Sequence, residues 1–540
     1  MKKTKKESFI QGVLALMFSQ VIIKILGLVY SMYLTNREGF GDSGNAIYMG
    51  GYQIYALLLT LSSIGVPNAI SKLIAERLAR GDKKGADRVF KIAFATFAVI
   101  GFIGTLILFC GARVIATYWL TIPECEYTLI ALSPAIFFVS ISSVIRGYFN
   151  GIQEISNTAK SQTFEQVFKT TLTIIFVEIV AMFTTTNTTL MAAGANLATT
   201  CATFLSFSYI FALCQRKRKL ARTEIIKSDY VGEKESVKDI VKKILSVSIP
   251  MSISSLLSSI NKNIDSATVV RILKPILGET TAKARYGILS SKIDILTSMP
   301  LAFNIAFATA LVPAISSARV KGDIKTINKR LSFSLLVTIL IGLPCTVGMF
   351  MYANQILELL FPNASAGGTL LAISAFTIIF TVLAQTINGA LQGLGKVKIP
   401  AIALGCGVFV KFITNILLIP MEGIYENGAA IGSVLCHIVS FTIVYNVLKH
   451  TIKLEFSLFK MMIKPLIATV VMAIISYVVY IALINIGIYA AISTIAGIIV
   501  AICVYAIMVI ILKILSKEDI LSLPKGDKIY RILNKLKIYA

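Results

Sequence analysis

Five lysines, Lys24, Lys169, Lys262, Lys292 and Lys411, stand inside long apolar runs and are the residues of this chain best placed to do chemistry. An ionised side chain at the centre of a bilayer-spanning helix costs about 2.5 to 3.5 kcal/mol on insertion scales, so it is kept where it meets a partner or lines a cavity. The carboxylates in the same runs are Glu165, Glu178, Asp265 and Asp294, with His437 as the one histidine. The balance is cationic, which points to an anionic ligand.

Local spacing sorts the five. Glu165 lies four residues before Lys169 and Asp265 three after Lys262, spacings that favour ion pairs within one helix. Lys169, Glu165, Lys262 and Asp265, together with Asp294, are therefore secondary candidates, with a structural bridge as the alternative for each pair. Lys292 and Asp294 are two apart and cannot face each other on a helix. Lys292 is read either as a cavity lysine or as a side chain that snorkels to the outer interface. Lys24 and Lys411 have no acid three or four residues to either side, so each needs a partner from another helix, from water or from a ligand. Lys24, Lys292 and Lys411 are the primary binding candidates.

The elements that must position these lysines are membrane helices. Of 540 residues, 56% are hydrophobic and 15% charged, and the mean hydropathy is +0.80. Soluble domains carry nearer a quarter charged residues. A bilayer core takes about 20 apolar residues per helix. That measure predicts an all-α polytopic protein with fourteen spans: 9–34, 45–66, 89–112, 126–149, 160–183, 189–213, 244–270, 286–314, 331–352, 367–392, 399–420, 428–448, 463–486 and 489–513. The start, MKKTKKES before an apolar run with no small-residue cleavage site, is read as a retained first helix. Pro67, Pro250, Pro300, Pro313 and Pro344 are expected to interrupt or end spans, with a simple helix end as the first reading for each.

The net charge of +25 would suggest nucleic acid in a soluble protein. Here 41 of the 52 lysines and arginines fall in the segments left inside if the amino terminus is cytoplasmic, which is the positive-inside pattern and places both termini in the cytoplasm of a cell membrane. No nucleic-acid role is expected. The predicted organisation is an N-lobe at 1–214, a basic linker at 215–243, a C-lobe at 244–450, two extra helices at 451–513 and a basic amphipathic tail at 514–540. With six spans each, the lobes would be parallel repeats related by a pseudo-twofold axis along the membrane normal.

The repeat is visible in the residues. RGYFNGIQEISNTAKSQTFEQVFK from Arg146 is echoed without a gap by NGALQGLGKVKIPAIALGCGVFVK from Asn388, which pairs Gly147 with Gly389, Gly151 with Gly393 and Lys169 with Lys411. GVPNAISKLIAERLARGD from Gly65 matches LVPAISSARVKGD from Leu311 with about five residues deleted. Gly147-x-x-x-Gly151 and Gly389-x-x-x-Gly393 are expected to serve close helix packing. Behind Lys411 the position matching Glu165 is Gly407, so Lys411 rather than Lys169 is expected to face a substrate path.

Enzyme signatures are absent: there is no G-x-x-x-x-G-K-[ST], H-E-x-x-H or G-x-S-x-G. No catalytic residues and no metal site are predicted, and the eight cysteines show no C-x-x-C spacing.

RGYFNG at Arg146, TSMPLAFNIAFATALVPAIS at Thr297 and LQGLGK at Leu391, on twelve spans plus two, resemble the polysaccharide-flippase branch of the multidrug/oligosaccharidyl-lipid/polysaccharide exporter superfamily, whose members include lipid II flippases and stage V sporulation protein B relatives. The resemblance implies a flippase that carries a polyprenyl-pyrophosphate-linked saccharide, lipid II first among them, from inner to outer leaflet by alternating access. It implies a cationic cavity for the pyrophosphate, with Lys24 in the first span and Lys292 in the eighth as its cations, and a lipid-tail groove on the two extra helices. Lysine stands where the better-studied branch uses arginine, which weakens bidentate phosphate recognition, and the second span has no cation. Lys411 and Asn415 occupy the eleventh span without a carboxylate, which argues against the sodium site of some members. Expected partners are the lipid-linked oligosaccharide, membrane lipids and cell-wall synthesis proteins, with the chain itself a monomer. No cofactor is expected; an anionic head group moving outward gains about 2.3 kcal/mol per charge per 100 mV of inside-negative potential. The alternatives are another lipid-linked polysaccharide unit, such as a capsule or spore-cortex precursor, and a cation-coupled multidrug exporter. The second is disfavoured by a first span that has a lysine and no acid.

Overall fold

Backbone groups in a bilayer must be satisfied within the protein, which leaves helices as the solution for long apolar runs of Leu, Ile, Val and Ala. In the computed structural model, which describes residues 9–63, 65–184, 187–226 and 235–516, these runs form α1 (Phe9–Asn36), α2 (Gly41–Ser63), α3 (Gly65–Ala79), α4 (Lys83–Val114), α5 (Cys125–Gly151), α6 (Ile155–Thr184), α7 (Thr188–Ile226) and α8 (Val237–Leu277). They continue as α9 (Glu279–Gly287), α10 (Asp294–Val320), α11 (Ile324–Met351), α12 (Ala353–Leu360), α13 (Gly368–Gly393), α14 (Ile399–Leu418), α15 (Asn427–Thr451), α16 (Leu458–Asn485) and α17 (Ala490–Ile511). A π-helical turn, Ile288–Ile293, joins α9 to α10, and another, Ile115–Trp119, ends α4.

The protein is an all-helical, multi-pass membrane protein. Eleven helical stretches among the described residues are long and apolar enough to cross a membrane. The other three expected spans coincide with α1, α8 and the α9–α10 stretch. Large apolar side chains that a soluble protein would bury stand exposed along the helices, Phe102, Ile103, Leu106 and Ile107 on α4 and Ile495, Ile499 and Ile502 on α17 among them. These are lipid-facing surfaces.

Two expectations are corrected. Pro250, Pro300, Pro313 and Pro344 lie inside α8, α10 and α11 rather than at helix ends. Packed neighbouring helices re-satisfy the carbonyl that a membrane proline frees. The basic stretch at 216–222 is no loop but continues α7 as helix. Lys and Arg are good helix formers, and Lys217 bonds Glu154 while Arg218 bonds Asp87 and lies 4.4 Å over the Phe90 ring. The amino-terminal lysines and nearly all of the expected tail fall outside the described residues.

The chain forms two compact units, one of Met1–Leu296 with Phe412–Ala429, the other of Thr297–Lys411 with Ala430–Ala540. The core of the first gathers Ile70, Ile74, Val89, Phe90, Val144 and Phe149. That of the second gathers Leu331, Leu335, Ile378, Val382, Ile387 and Val444.

The glycine motifs act as close packers in both. A Cβ on Gly147 would stand 2.9 Å from the Pro67 carbonyl oxygen and one on Gly389 2.5 Å from that of Ala308, so α5 meets α3, and α13 meets α10, backbone against backbone. The contacts also correct the repeat. Pro67 corresponds to Ala308, Ser71 to Val312 and Ile74 to Ile315, each 241 residues on, with no deletion. The likeness of VPNAIS to VPAISS is therefore out of packing register by about a turn and a half of helix.

Candidate functional site

The charged side chains of the first unit gather where α1, α2, α6, α8 and the π-turn converge. Gly287, at the end of α9, makes the approach possible: a Cβ there would stand 1.9 Å from the Asp42 carbonyl oxygen. With no side chain in the way, the first turn of α2 docks on the π-turn, and Lys292 reaches Asp42, with Nζ 2.8 Å from Oδ1 and 3.1 Å from Oδ2. Lys292 is fully buried, so the snorkelling alternative fails. The neighbouring Ser291 hydroxyl lies 3.3 Å from that of Ser31 on α1.

Two residues on, Asp294 points elsewhere. Its Oδ2 is 2.6 Å from Nζ of Lys262 on α8, and this pair stays accessible, at 48% and 35% of the side-chain surface. Asp265 and Tyr52 lie in the electrostatic surroundings of Lys262. Lys24 on α1 interacts electrostatically with both Lys262 and Asp294. Lys24, Lys262 and Asp294 are thus brought together, with Lys292 one short turn away in sequence.

The expected pairings within helices do not form the closest contacts. Lys262 takes Asp294 rather than Asp265, whose Oδ1 accepts from Asn415 Nδ2 at 3.0 Å. Glu165 is taken by Arg146, at 2.6 Å, and the same guanidinium donates to the Ser161 hydroxyl at 3.1 Å and to that of Ser206 at 3.3 Å. Arg146, which bonds three groups on two neighbouring helices, outcompetes a lysine on Glu165's own helix.

Lys169 is buried beneath tyrosines instead, its Nζ 4.0 Å from the centre of the Tyr52 ring and 5.3 Å from that of Tyr30. Tyr48 stacks on Tyr52 and meets Tyr30 edge to face. Ring faces hold a desolvated cation by their quadrupoles. Lys411, equally buried, lies on α14 in the second unit.

Sequence reasoning missed Asp42 and the tyrosine cage. Asp42 fell just outside a span drawn from 45, although an acid in the first turn of a helix is favourable. The cage had a signal: Tyr48, Tyr52 and Tyr55 follow helical spacing and share one face.

At the expected outer end, Lys283 bonds Glu124 and lies 2.7 Å from Glu279, while Lys274 sits 2.8 Å from Glu279. Hydrogen bonds from Lys274 and Lys283 hold the Glu279 carboxyl down to about 2.

Residues 9–319 match the family model described as polysaccharide biosynthesis protein, and residues 250–417 match the MatE model. The chain is 26% identical to stage V sporulation protein B of Bacillus subtilis over 96% of its own length and 98% of that protein's. It is also 26% identical to the lipid II flippase MurJ of Bacillus subtilis, over 80% of each. Among solved structures it shares its fold with the lipid II flippase MurJ in an inward closed conformation, with a TM-score of 0.66, 15% identity and coverage of 92% of this chain and 98% of that one. An outward-facing multidrug resistance MATE family transporter of the MOP superfamily aligns with a TM-score of 0.58 and 16% identity over 82% of this chain and 96% of that one. The chain belongs to the polysaccharide biosynthesis protein family.

Proposed function

We propose that the protein is a flippase that moves a polyprenyl-diphosphate-linked saccharide, lipid II first among them, from the inner to the outer leaflet of the cell membrane. The observation that carries this reading is the accessible Lys262–Asp294 pair with Lys24 in its field. An accessible ion pair can exchange partners, and a diphosphate offers lysines more charge than a carboxylate does. Lys24 and Lys262 are the first ligands in this scheme. Lys292 joins when its pair with Asp42 opens. The α11, α16 and α17 helices border an apolar cavity of about 430 Å³ lined by Leu340, Pro344, Met349, Met472 and Ile502, suited to a prenyl chain. Both termini are cytoplasmic in this scheme, the lobes at 1–214 and 244–450 rock against each other, and the membrane potential favours outward movement of the anionic head group.

A second reading, a different lipid-linked saccharide, is favoured by likeness to stage V sporulation protein B along nearly the whole of both chains. Purified protein in liposomes, with labelled lipid II and with other polyprenyl-diphosphate glycans, separates the two. Transfer of lipid II to the far leaflet supports the first; transfer of another glycan alone supports the second; transfer of neither sinks both. Lys24→Ala is expected to slow transfer at least about tenfold, a loss of about 1.4 kcal/mol of barrier stabilisation. Wild-type rates in that variant would contradict the site.

A further inference from the structure

The first unit holds two lysine–aspartate pairs on one turn of chain, and they differ in kind. Lys292–Asp42 is shut away, with Lys292 at 0% exposure. Lys262–Asp294 is accessible on both partners. Lys292 and Asp294 flank Ile293 at the junction of the π-turn with α10. A π-turn is a marginal conformation that recurs at functional sites, so one shift of this turn moves both groups. Asp294 stands where an anionic ligand of Lys24 and Lys262 would bind, carries the same sign as that ligand, and is tethered.

A tethered competitor lowers affinity for every anion alike, and it is on hand to reoccupy the cations the moment a ligand begins to leave. We propose that Asp294 is an internal counter-anion that governs release: it gives up Lys262 when the diphosphate arrives and takes it back to eject the product. The proposal rests on the anion site of the flippase reading and assigns to one carboxylate the step that returns the site to its empty state. Asp294 is a positioning residue in this scheme, since it acts through the lysines.

The expected signature runs opposite to that of a structural role. A carboxylate that merely held the lysines in place would weaken ligand binding when removed. With Asp294→Asn, binding of farnesyl diphosphate to the full-length protein in nanodiscs is expected to tighten about tenfold, while the maximal rate of lipid transfer in liposomes falls by a similar factor. Asp294→Glu, which restores the charge, is expected to return both values towards wild type. Asp294→Ser is the second neutral variant if the amide does not fold. Weaker or unchanged binding in the neutral variants, or tighter binding with undiminished transfer, overturns the release role. If wild-type protein transfers lipid normally and only the variants miss these shifts, the release role falls while the flippase reading stands. If wild-type protein neither binds the diphosphate nor transfers any polyprenyl-diphosphate lipid, both fall together.

Discussion

The α3–α5 junction of the first unit and the α10–α13 junction of the second follow one plan and are finished in different chemistry. In each, a glycine pair four residues apart lets a helix rest on a neighbour's carbonyls. Downstream of α3 and α10, a glycine at positive φ, Gly81 or Gly322, precedes an aspartate that caps the next helix: Asp82 accepts from the Gly85 amide and Asp323 from that of Thr326. The side chains then diverge. Where the first unit sets Arg146 against Ser161 and Glu165, the matching residues of the second are Asn388, Ala403 and Gly407. A Cβ on Gly407 would stand 2.4 Å from the Cys436 carbonyl oxygen, so backbone contact replaces the ion pair. Backbone packing tolerates few changes once a register is fixed, whereas side-chain charge can be redistributed as long as each buried charge keeps a partner.

The largest test of this contrast is at its charged end. Arg146→Ala leaves Glu165 without its partner at a helix junction, and truncating one member of such a pair is expected to destabilise the protein by about 3 kcal/mol. Asn388→Ala, the matching change in the second unit, is expected to cost about 1 kcal/mol or less. Unfolding midpoints of the two variants in mixed micelles check the order; equal losses would mean that the two junctions do not differ in what holds them.

Next in size come the glycines. Gly389→Ala places a methyl group 2.5 Å from a carbonyl oxygen and Gly147→Ala one 2.9 Å away, neither of which a backbone can concede without shifting a helix. Overpacking of this kind costs about 1 to 3 kcal/mol, with Gly389→Ala expected to be the worse of the two. The same unfolding measurement decides, and a Gly147→Ala protein less stable than Gly389→Ala would reverse the comparison.

What could be read beforehand, and what could not, follows the same division. Apolar run length marked where α4, α5, α6 and α13 lie, because the bilayer demands about 20 apolar residues whatever the packing. The glycine pairs could be read because only glycine allows backbones so close. VPNAIS and VPAISS look alike and suggest a five-residue gap, but packing register is set by what faces Gly147 and Gly389, and that information lies on another helix. For the same reason spacing alone pairs Glu165 and Lys262 with residues of their own helices. Spacing along one helix reveals its own neighbours, whereas Arg146 and Asp294 arrive through tertiary contact. Asp42 needed Gly287 to bring it to Lys292, a relation spread over 245 residues of chain with no local pattern.

The smallest effect concerns a position where the two units share a backbone turn and differ in the residue that adopts it. After α5, the Glu154 amide donates to the Phe149 carbonyl at 2.9 Å; after α13, the Lys396 amide donates to that of Leu391 at 2.8 Å. Both helices thus end in the same turn, which requires a left-handed residue one place earlier. The second unit supplies Gly395 at φ +81°, the first Gln153 at φ +62°. A side chain in this region costs about 1 to 2 kcal/mol, part of which glycine would return as extra freedom of the unfolded chain. Gln153→Gly is therefore expected to stabilise the protein by up to about 1 kcal/mol, and Gly395→Ala to destabilise it by about as much. Gln153 is exposed and holds no place in the packed junction, so its backbone angle alone decides the sign. A Gln153→Gly protein that unfolds more readily than wild type would show that the glutamine side chain contributes to the turn something that glycine in the second unit does without.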